Sequence, residues 1–310
     1  MRLNSVLLSL LLVGCSATKV VKDNKVFVDQ ESISNTVYYL ASDSLKGRDT
    51  GSEGNHLAAE YLSNKLNEYG IKPFFSSYND TLNNAVDTWN VVGVIPGTDK
   101  MLKNEVVLLG AHYDHIGIQP AIDGDSIANG ANDNAAGTAV LLELARNLDK
   151  NNNKRTIMIA FFTGEEKGLW GSKHLAKRLK ESNVNVVSML NFEMLGLAME
   201  RNYMSYLTGY EESNLGTKIN ELAGEALVGK FDKAEEYQLF KRSDNYPFYL
   251  EFKIPSQSFS SFDFENYEYY HHVKDEADLM NYDFMSSFTE KIIPVVNKLV
   301  NLPQGEIRLK

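Results

Sequence analysis

The chain has 310 residues, of which 43% are hydrophobic and 11% aromatic, and its formal net charge is −10. This composition is typical of a globular protein with a sizeable core, and it excludes an intrinsically disordered chain. The negative charge and the lack of a basic cluster argue against a nucleic-acid partner, because such partners are bound through lysine and arginine contacts to phosphates.

The first residues have the pattern of an export signal. An apolar run, Val6–Val13, is too short to span a membrane and leads into the sequence LVGC, which ends at Cys15. This resembles the bacterial lipobox, whose cysteine is lipidated after cleavage, and Cys15 is the only cysteine of the chain. A plain signal peptide is the alternative. We expect a lipoprotein signal peptide over residues 1–14, an anchor and flexible leader over 15–25, and a single domain over 26–310. The protein would then sit in the bacterial cell envelope, periplasmic or outer, and touch the membrane only through the lipid on Cys15.

Predicted helices and strands alternate along the rest of the chain. A helical period runs from about Ile33 to Gly70, and Trp89–Gly97 is typical of a strand that ends in a turn. The remaining predicted elements are apolar strands at Glu105–Asp114, Thr156–Gly164 and Asn185–Leu195, and helices at Asn134–Leu148 and 168–182. Apolar strands that alternate with helices predict an α/β fold, with a three-layer, mostly parallel mixed sheet covered by helices on both faces.

Acidic or histidine side chains follow each of the three apolar strands. They are His112 and Asp114, then Glu165 and Glu166, then Glu193. In open α/β sheets the ligand site lies outside the carboxyl ends of the strands. We therefore expect these side chains to converge on one place.

The spacing of these residues suggests a chemical role for each of them. Asp114 lies two residues after His112 and is placed to orient its ring, since a metal-bound histidine usually donates its second N–H to a carboxylate. His115 is expected to point elsewhere, as a loop residue. Of the adjacent Glu165 and Glu166, one would coordinate metal and the other would act as general base.

Three further positions supply candidate ligands. Asp133 lies in a glycine-flanked turn before the predicted helix, and Glu193 lies inside an apolar segment, where a charge needs a partner. The segment YYHHVKDEAD adds His271 and His272, of which one is needed. Nitrogen and oxygen ligands without thiolate suit zinc. Five ligands exceed what one tetrahedral ion needs and fit two ions that share a bridging carboxylate.

These motifs resemble those of the co-catalytic zinc aminopeptidases of the bacterial secreted leucyl-aminopeptidase type. Glutamate carboxypeptidase, the transferrin receptor ectodomain and the glutaminyl cyclases are relatives of that family. The resemblance runs from LASDSLKGRDTGSEGNHLAAEYL through GAHYDHIG, NGANDNAAG, FFTGEEKGLWG and NFEMLG to KRSDNYPFY and YYHHVKDEAD. It implies the zinc aminopeptidase (phosphorylase/hydrolase-like) fold, two Zn²⁺ ions per chain, and peptide substrates with a free N-terminus.

The resemblance also implies residue roles. His112 would bind one zinc ion, with Asp114 as the partner behind it, and Asp133 would bridge the two ions through a loop whose Asp133–Asn134 peptide bond is often cis in relatives. Glu165 would be the general base and Glu166 a ligand of the other ion.

Three further positions follow from the family pattern. Glu193 stands where most relatives have aspartate. His271, with Asp275 four residues later, fits the pattern of the last histidine ligand, which leaves His272 as its neighbour. Tyr270 occupies the place from which some relatives direct a hydroxyl at the oxyanion.

The implied reaction is metal-assisted hydrolysis of the N-terminal peptide bond. A glutaminyl cyclase, which forms N-terminal pyroglutamate at a single zinc on the same fold, is the alternative. A non-enzymatic binding protein with a decayed metal site is a third hypothesis, although every expected ligand is present here. The walls of the substrate pocket are expected from Leu197 to Tyr249.

Overall fold

The computed structural model describes residues 27–310. The predicted signal peptide, lipid anchor and leader therefore lie outside the described residues. Within them, no helix combines the length and the apolar character that crossing a bilayer requires.

Eight α-helices are present in this range. They are α1 (Gln30–Leu40), α2 (Glu53–Glu68), α3 (Gly137–Asn147), α4 (Trp170–Glu181), α5 (Leu215–Ala223), α6 (Asp232–Glu236), α7 (Asn245–Phe252) and α8 (Tyr282–Leu299). A π-type turn, Ala131–Ala136, leads directly into α3.

Eleven strands are present in the same range. They are β1 (Lys72–Pro73), β2 (Asn79–Thr81), β3 (Trp89–Ile95), β4 (Glu105–His112), β5 (Gly117–Ile122), β6 (Asp125–Ala128), β7 (Thr156–Phe162), β8 (Asn185–Phe192), β9 (Ser205–Leu207), β10 (Val228–Gly229) and β11 (Ser256–Ser260). The main sheet has the order β1-β3-β7-β4-β8-β11-β9-β10, with β2 beside β3, and β5 and β6 form a separate hairpin. The central strands β7, β4, β8 and β11 are parallel to one another.

Alternate residues of the central strands face two separate cores. In β4, Val107, Leu109 and Ala111 pack into the core that also contains residues of α1, α2, α3, α5 and α8. Val106 and Leu108 face the opposite core, which is closed by residues of α4 and α7. β4 is buried along its whole length, and the residues between its terminal Glu105 and His112 are all apolar. The predicted three-layer, mostly parallel mixed sheet is confirmed.

The predicted helix from Ile33 to Gly70 is in fact two helices. α1 ends at Leu40, and α2 begins at Glu53 after Ser52, whose hydroxyl accepts a hydrogen bond from the Asn55 N–H and caps the helix. The turn between them includes Gly47, with φ of 69°. It carries a fully buried side chain, that of Arg48, which a continuous helix would not place in the interior.

Candidate metal centre

The three predicted ligand-bearing strands are neighbours in the sheet. β7, β4 and β8 lie side by side and run in the same direction, so their carboxyl ends meet at one edge. His112 is the last residue of β4, and Glu193 directly follows β8. Glu165 and Glu166 follow β7 after a turn at Gly164, whose φ of 69° favours glycine.

Asparagine side-chain bonds fix the turn that carries Asp133. The Asn134 amide oxygen accepts hydrogen bonds from the Met194 N–H (2.9 Å) and the Gly137 N–H (3.1 Å). Its amide nitrogen donates to the Phe192 carbonyl at 3.0 Å. Asn134 therefore ties the start of α3 to the end of β8. The peptide bond between Asp133 and Asn134 is cis.

Asp275 joins this turn to the loop that carries His271. Its carboxylate accepts hydrogen bonds from the backbone N–H groups of Asn132 (2.8 Å) and Asp133 (3.0 Å). The Tyr267 hydroxyl donates to the same carboxylate at 2.7 Å. Two segments that are far apart in sequence are thereby held in a fixed relation at the sheet edge.

The predicted ligands form two clusters that share Asp133. In the first, His112 Nε2 lies 3.3 Å from Asp133 Oδ1 and 3.1 Å from Glu193 Oε1. In the second, His271 Nε2 lies 3.2 Å from Asp133 Oδ2 and 3.2 Å from Glu166 Oε2. Zinc–ligand bonds of ~2.0–2.1 Å in tetrahedral geometry place neighbouring ligand atoms about 3.3 Å apart. Both clusters therefore have the spacing of a coordination shell, and Asp133 offers one oxygen to each.

The charges of the site also fit bound cations. Burial opposes protonation of His112, yet the carboxylates of Glu193 and its neighbours raise the pKa of His112 well above its usual value. Despite the same effect of burial, Asp133 and Glu166 raise the pKa of His271 to about 10. Nearby, Asp244 is fully buried and accepts no hydrogen bond from the described residues, and its pKa is raised to about 7, mainly by burial. Such a surplus of buried carboxylates is suited to divalent metal ions.

Asp114 contacts more than the ring it was predicted to orient. Its Oδ1 lies 3.7 Å from His112 Nδ1, whereas its own backbone carbonyl is closer to that nitrogen, at 3.2 Å. The carboxylate accepts hydrogen bonds from the N–H groups of Glu165 (3.1 Å) and Glu166 (3.4 Å) and from the Thr50 hydroxyl (2.9 Å). Asp114 thus supports His112 and positions the backbone of both glutamates.

Glu165 lines the cavity beside the two clusters. Burial raises the pKa of Glu165 well above its usual value, and the nearby carboxylates of Glu193 and Asp244 add to this effect, while His112 opposes it. A carboxylate with a raised pKa at the edge of a cavity is a better proton acceptor than a solvated one. Glu165 is therefore the candidate general base of the site.

Tyr270 lies at the wall of the same cavity. Its ring stacks on that of His271, with centroids 4.0 Å apart, and on that of Phe262 at 5.5 Å, and 38% of its surface is exposed. The cavity has a volume of about 420 Å³. Besides the acidic groups, its walls include Leu169, Lys173, Met194, Tyr206, Thr208, Leu239, Lys241, Arg242, Ser258, Ser260, Phe262 and Phe264. The predicted stretch Leu197–Tyr249 thus supplies part of the wall, and residues 258–264 supply another part.

The structure brings one residue to the site that was expected to point away from it. His115 is fully buried, and its Nδ1 lies 3.0 Å from Glu166 Oε1. β4 ends at His112, and His115 forms an isolated parallel bridge with Asp49 beyond the end of the strand. The alternation of side chains within a strand therefore does not predict the direction of the His115 side chain. His272, by contrast, accepts a hydrogen bond at Nδ1 from the Lys274 N–H and is not part of either cluster.

Two other residues near the site carried no predicted role. The Arg48 guanidinium donates hydrogen bonds to the carbonyls of Leu40, Tyr113, Asn129 and Gly130. Asp244 is fully buried and directly precedes α7.

Comparison with known proteins agrees with this geometry. Residues 90–296 match the family model of Peptidase family M28. A probable zinc metalloprotease from Pyrenophora teres f. teres (strain 0-1) is 31% identical over 183 residues, which cover 54% of this chain and only 37% of that relative's length.

Two solved structures share the fold. The Legionella pneumophila LapA aminopeptidase has a TM-score of 0.70 and 22% identity, covering 89% of this chain and 73% of that chain. A Bacteroides thetaiotaomicron glutaminyl cyclase has a TM-score of 0.63 and 18% identity, covering 87% of this chain and 98% of that chain. The family model spans well over half of the chain, and the chain therefore belongs to Peptidase family M28.

Proposed function

We propose that this protein is a zinc-dependent aminopeptidase that removes N-terminal residues from peptides. The observation that carries the proposal is the pair of clusters in which Asp133 turns one oxygen to each. Membership of a peptidase family and the similarity to a probable zinc metalloprotease support it.

The donor sets indicate which residues would hold each ion. His112, Glu193 and Asp133 would hold one ion. Asp133, Glu166 and His271 would hold the other, because His271 Nε2 lies 3.2 Å from an oxygen of each carboxylate. His115, Asp133 and Glu166 also lie close enough together to hold an ion, but His115 Nδ1 is farther from Asp133 Oδ2, at 3.8 Å. Two zinc ions, when bound, lower the pKa of a water molecule and polarise the carbonyl of the scissile bond.

The chain's own groups would then move the protons. The Glu165 carboxylate accepts a proton from the attacking water, and it returns that proton to the nitrogen of the leaving peptide. Asp114 holds the Glu165 backbone in place through its hydrogen bond to the N–H. The Tyr270 hydroxyl, at the cavity wall, would donate towards the developing oxyanion. The products are a free amino acid and a peptide shortened by one residue.

The cavity of about 420 Å³ is lined by the carboxylates of Asp133, Glu165, Glu166 and Glu193 and also by the cationic Lys173, Lys241 and Arg242. Its lining therefore carries charges of both signs. The selection of a free N-terminus is supported by the similarity in fold to an aminopeptidase and not by the charge of the cavity.

Replacement of Glu165 by glutamine tests the assignment of the base. The amide keeps the size of the side chain but accepts no proton, so we expect two zinc ions per chain and a loss of turnover of about 10²–10⁴-fold. Metal content is measured by elemental analysis, and turnover is measured on a panel of aminoacyl-anilides beside an N-terminal glutaminyl peptide.

The exposed Glu181, on α4, provides the matched control, because Glu181→Gln should change neither quantity. Undiminished turnover in Glu165→Gln would exclude Glu165 as the base. Formation of pyroglutamate without release of aniline by the wild-type protein would favour the glutaminyl cyclase alternative.

We also propose that the protein is exported and anchored in the cell envelope by a lipid on Cys15. The support is the apolar run and the LVGC sequence at the start of the chain. Expression in a bacterium with labelled palmitate should label the wild-type protein and leave Cys15→Ser unlabelled. Equal labelling of the two would contradict the proposal.

A further inference from the structure

His115 contacts the Glu166 oxygen that does not face His271. His115 Nδ1 lies 3.0 Å from Glu166 Oε1, whereas Oε2 of the same carboxylate lies 3.2 Å from His271 Nε2. The two oxygens of Glu166 therefore have separate partners. His115 Nδ1 is 3.8 Å from Asp133 Oδ2, farther than the 3.2 Å that separates His271 Nε2 from that oxygen.

The surrounding backbone is built to hold this ring. The His115 N–H donates to the Arg48 carbonyl at 3.4 Å, next to the bridge between Asp49 and His115. The ring lies against Gly130, where a Cβ atom would be 2.5 Å from two ring carbons. Real Cβ contacts are not that short, so a side chain at this position would displace the imidazole. The Gly130 carbonyl in turn accepts a hydrogen bond from Arg48.

We propose that His115 is a positioning residue that turns Glu166 Oε2 towards the metal ion. Its Nδ1–H donates to Oε1 and so fixes the rotation of the carboxylate, in the way that outer partners orient metal ligands. The inference rests on the proposed two-metal centre, and it adds a residue to that centre that is neither a ligand nor a base.

The environment of the second ring nitrogen favours this role over direct coordination. His115 Nε2 is buried and has no hydrogen-bond partner among the described residues. If Nδ1 carries the proton, Nε2 is a bare acceptor. If Nδ1 bound a metal ion, Nε2 would carry an N–H group with no acceptor, whereas a metal-bound histidine usually donates its second N–H to a carboxylate, a backbone carbonyl or a water molecule.

The contact between His115 and Glu166 distinguishes the roles of the adjacent Glu165 and Glu166. The Glu166 carboxylate is held by His115 and His271, and its backbone by Asp114. The Glu165 carboxylate makes no side-chain hydrogen bond within residues 27–310. One glutamate is therefore fixed as a ligand, while the other stays free to carry a proton.

Two substitutions at His115 distinguish positioning from a purely structural role. His115→Ala removes the donor and should weaken zinc binding at one of the two sites by about 10–100-fold. His115→Asn places an amide N–H close to the position of Nδ1 and should restore most of the affinity. Zinc affinity is measured by competition with a chromophoric chelator, and His272→Ala is the matched control, with unchanged affinity expected.

The absorption spectrum of the cobalt-substituted protein separates positioning from ligation. We expect the visible bands of His115→Asn to match those of the wild type, because no ligand has been removed. A shift of those bands, or unchanged zinc affinity in His115→Ala, would overturn the inference. Should His115→Ala fail to fold, the asparagine variant still answers the question through its spectrum.

The outcomes also separate this inference from the proposed activity. A wild type that holds two zinc ions but hydrolyses no aminoacyl substrate would refute the aminopeptidase and leave the role of His115 intact. If the wild type is active and His115→Ala does not change its zinc affinity, the role of His115 would be refuted and the aminopeptidase proposal would stand. A wild-type protein that binds no zinc would refute both.

Discussion

The surroundings of Glu193 at the candidate metal centre are fitted to the length of its side chain. Its Oε1 lies 3.1 Å from His112 Nε2, while Oε2 accepts a hydrogen bond from the Ser243 hydroxyl at 2.6 Å. The Ser243 oxygen in turn accepts a hydrogen bond from the Asn191 amide at 2.9 Å. The carboxylate is thus held at both oxygens.

This arrangement predicts that shortening the side chain to aspartate weakens the site. In Glu193→Asp the carboxylate is drawn back towards β8, so it cannot contact both His112 and Ser243. We expect zinc affinity at one site to fall about 10-fold or more, a loss typical of disturbed metal ligation. Isothermal titration with zinc measures it.

Ser243→Ala is the companion variant, because it removes only the hydrogen bond to Oε2. It should lose less affinity than Glu193→Asp. If Glu193→Asp binds two zinc ions as tightly as the wild type, the glutamate is not fitted to this centre.

At the level of elements, the sequence predicts the regular parts of the fold well. The strands β4, β7 and β8 lie within the predicted apolar runs, and α3 and α4 within the predicted helices. Burial on both faces makes such strands largely apolar, so the pattern is visible locally. Placing ligands after the strand ends then followed from the parallel order of the sheet.

The irregular segments could not be predicted in the same way. The positions of Arg48 and His115 depend on hydrogen bonds to residues far away in the sequence, such as the one between Arg48 and Asn129 across 81 positions. The hydrophobic period of a strand (two residues) or of a helix (3.6 residues) does not predict contacts between residues far apart in the sequence. The helix at Asn245–Phe252 was missed because Pro and aromatic residues give it little helical pattern.

At the level of the whole molecule, the metal-free protein holds titrating groups whose pKa values are shifted by folding. The folded state raises the pKa of His271 to about 10 and that of Asp244 to about 7. Both values lie above the usual ones, so folding binds these protons more tightly than the unfolded chain does. Stability from this source is present at low pH and is lost as the pH rises through about 7 and towards 10.

We therefore predict that the metal-free protein unfolds at a lower temperature at about pH 9 than at about pH 6. Zinc should raise the unfolding temperature more at the higher pH, because metal ions replace the protons that the site then lacks. Calorimetry after chelation, with and without added zinc, measures both effects.

The variant Asp244→Asn removes one of the titrating groups. It should flatten the decline of stability around neutral pH while leaving the decline at higher pH. A metal-free wild type that becomes more stable between about pH 6 and about pH 9 would contradict this account of the buried charges.

Arg48 has a consequence for how the candidate metal centre meets its ligands. Its guanidinium joins the carbonyls of residues 40, 113, 129 and 130, and Asp275 joins its own loop to Asn132 across 143 positions. The segments that carry the candidate ligands are thus joined by hydrogen bonds of the chain itself. We therefore expect these segments to keep their arrangement without metal, which would leave more of the interaction energy of metal and substrate for affinity.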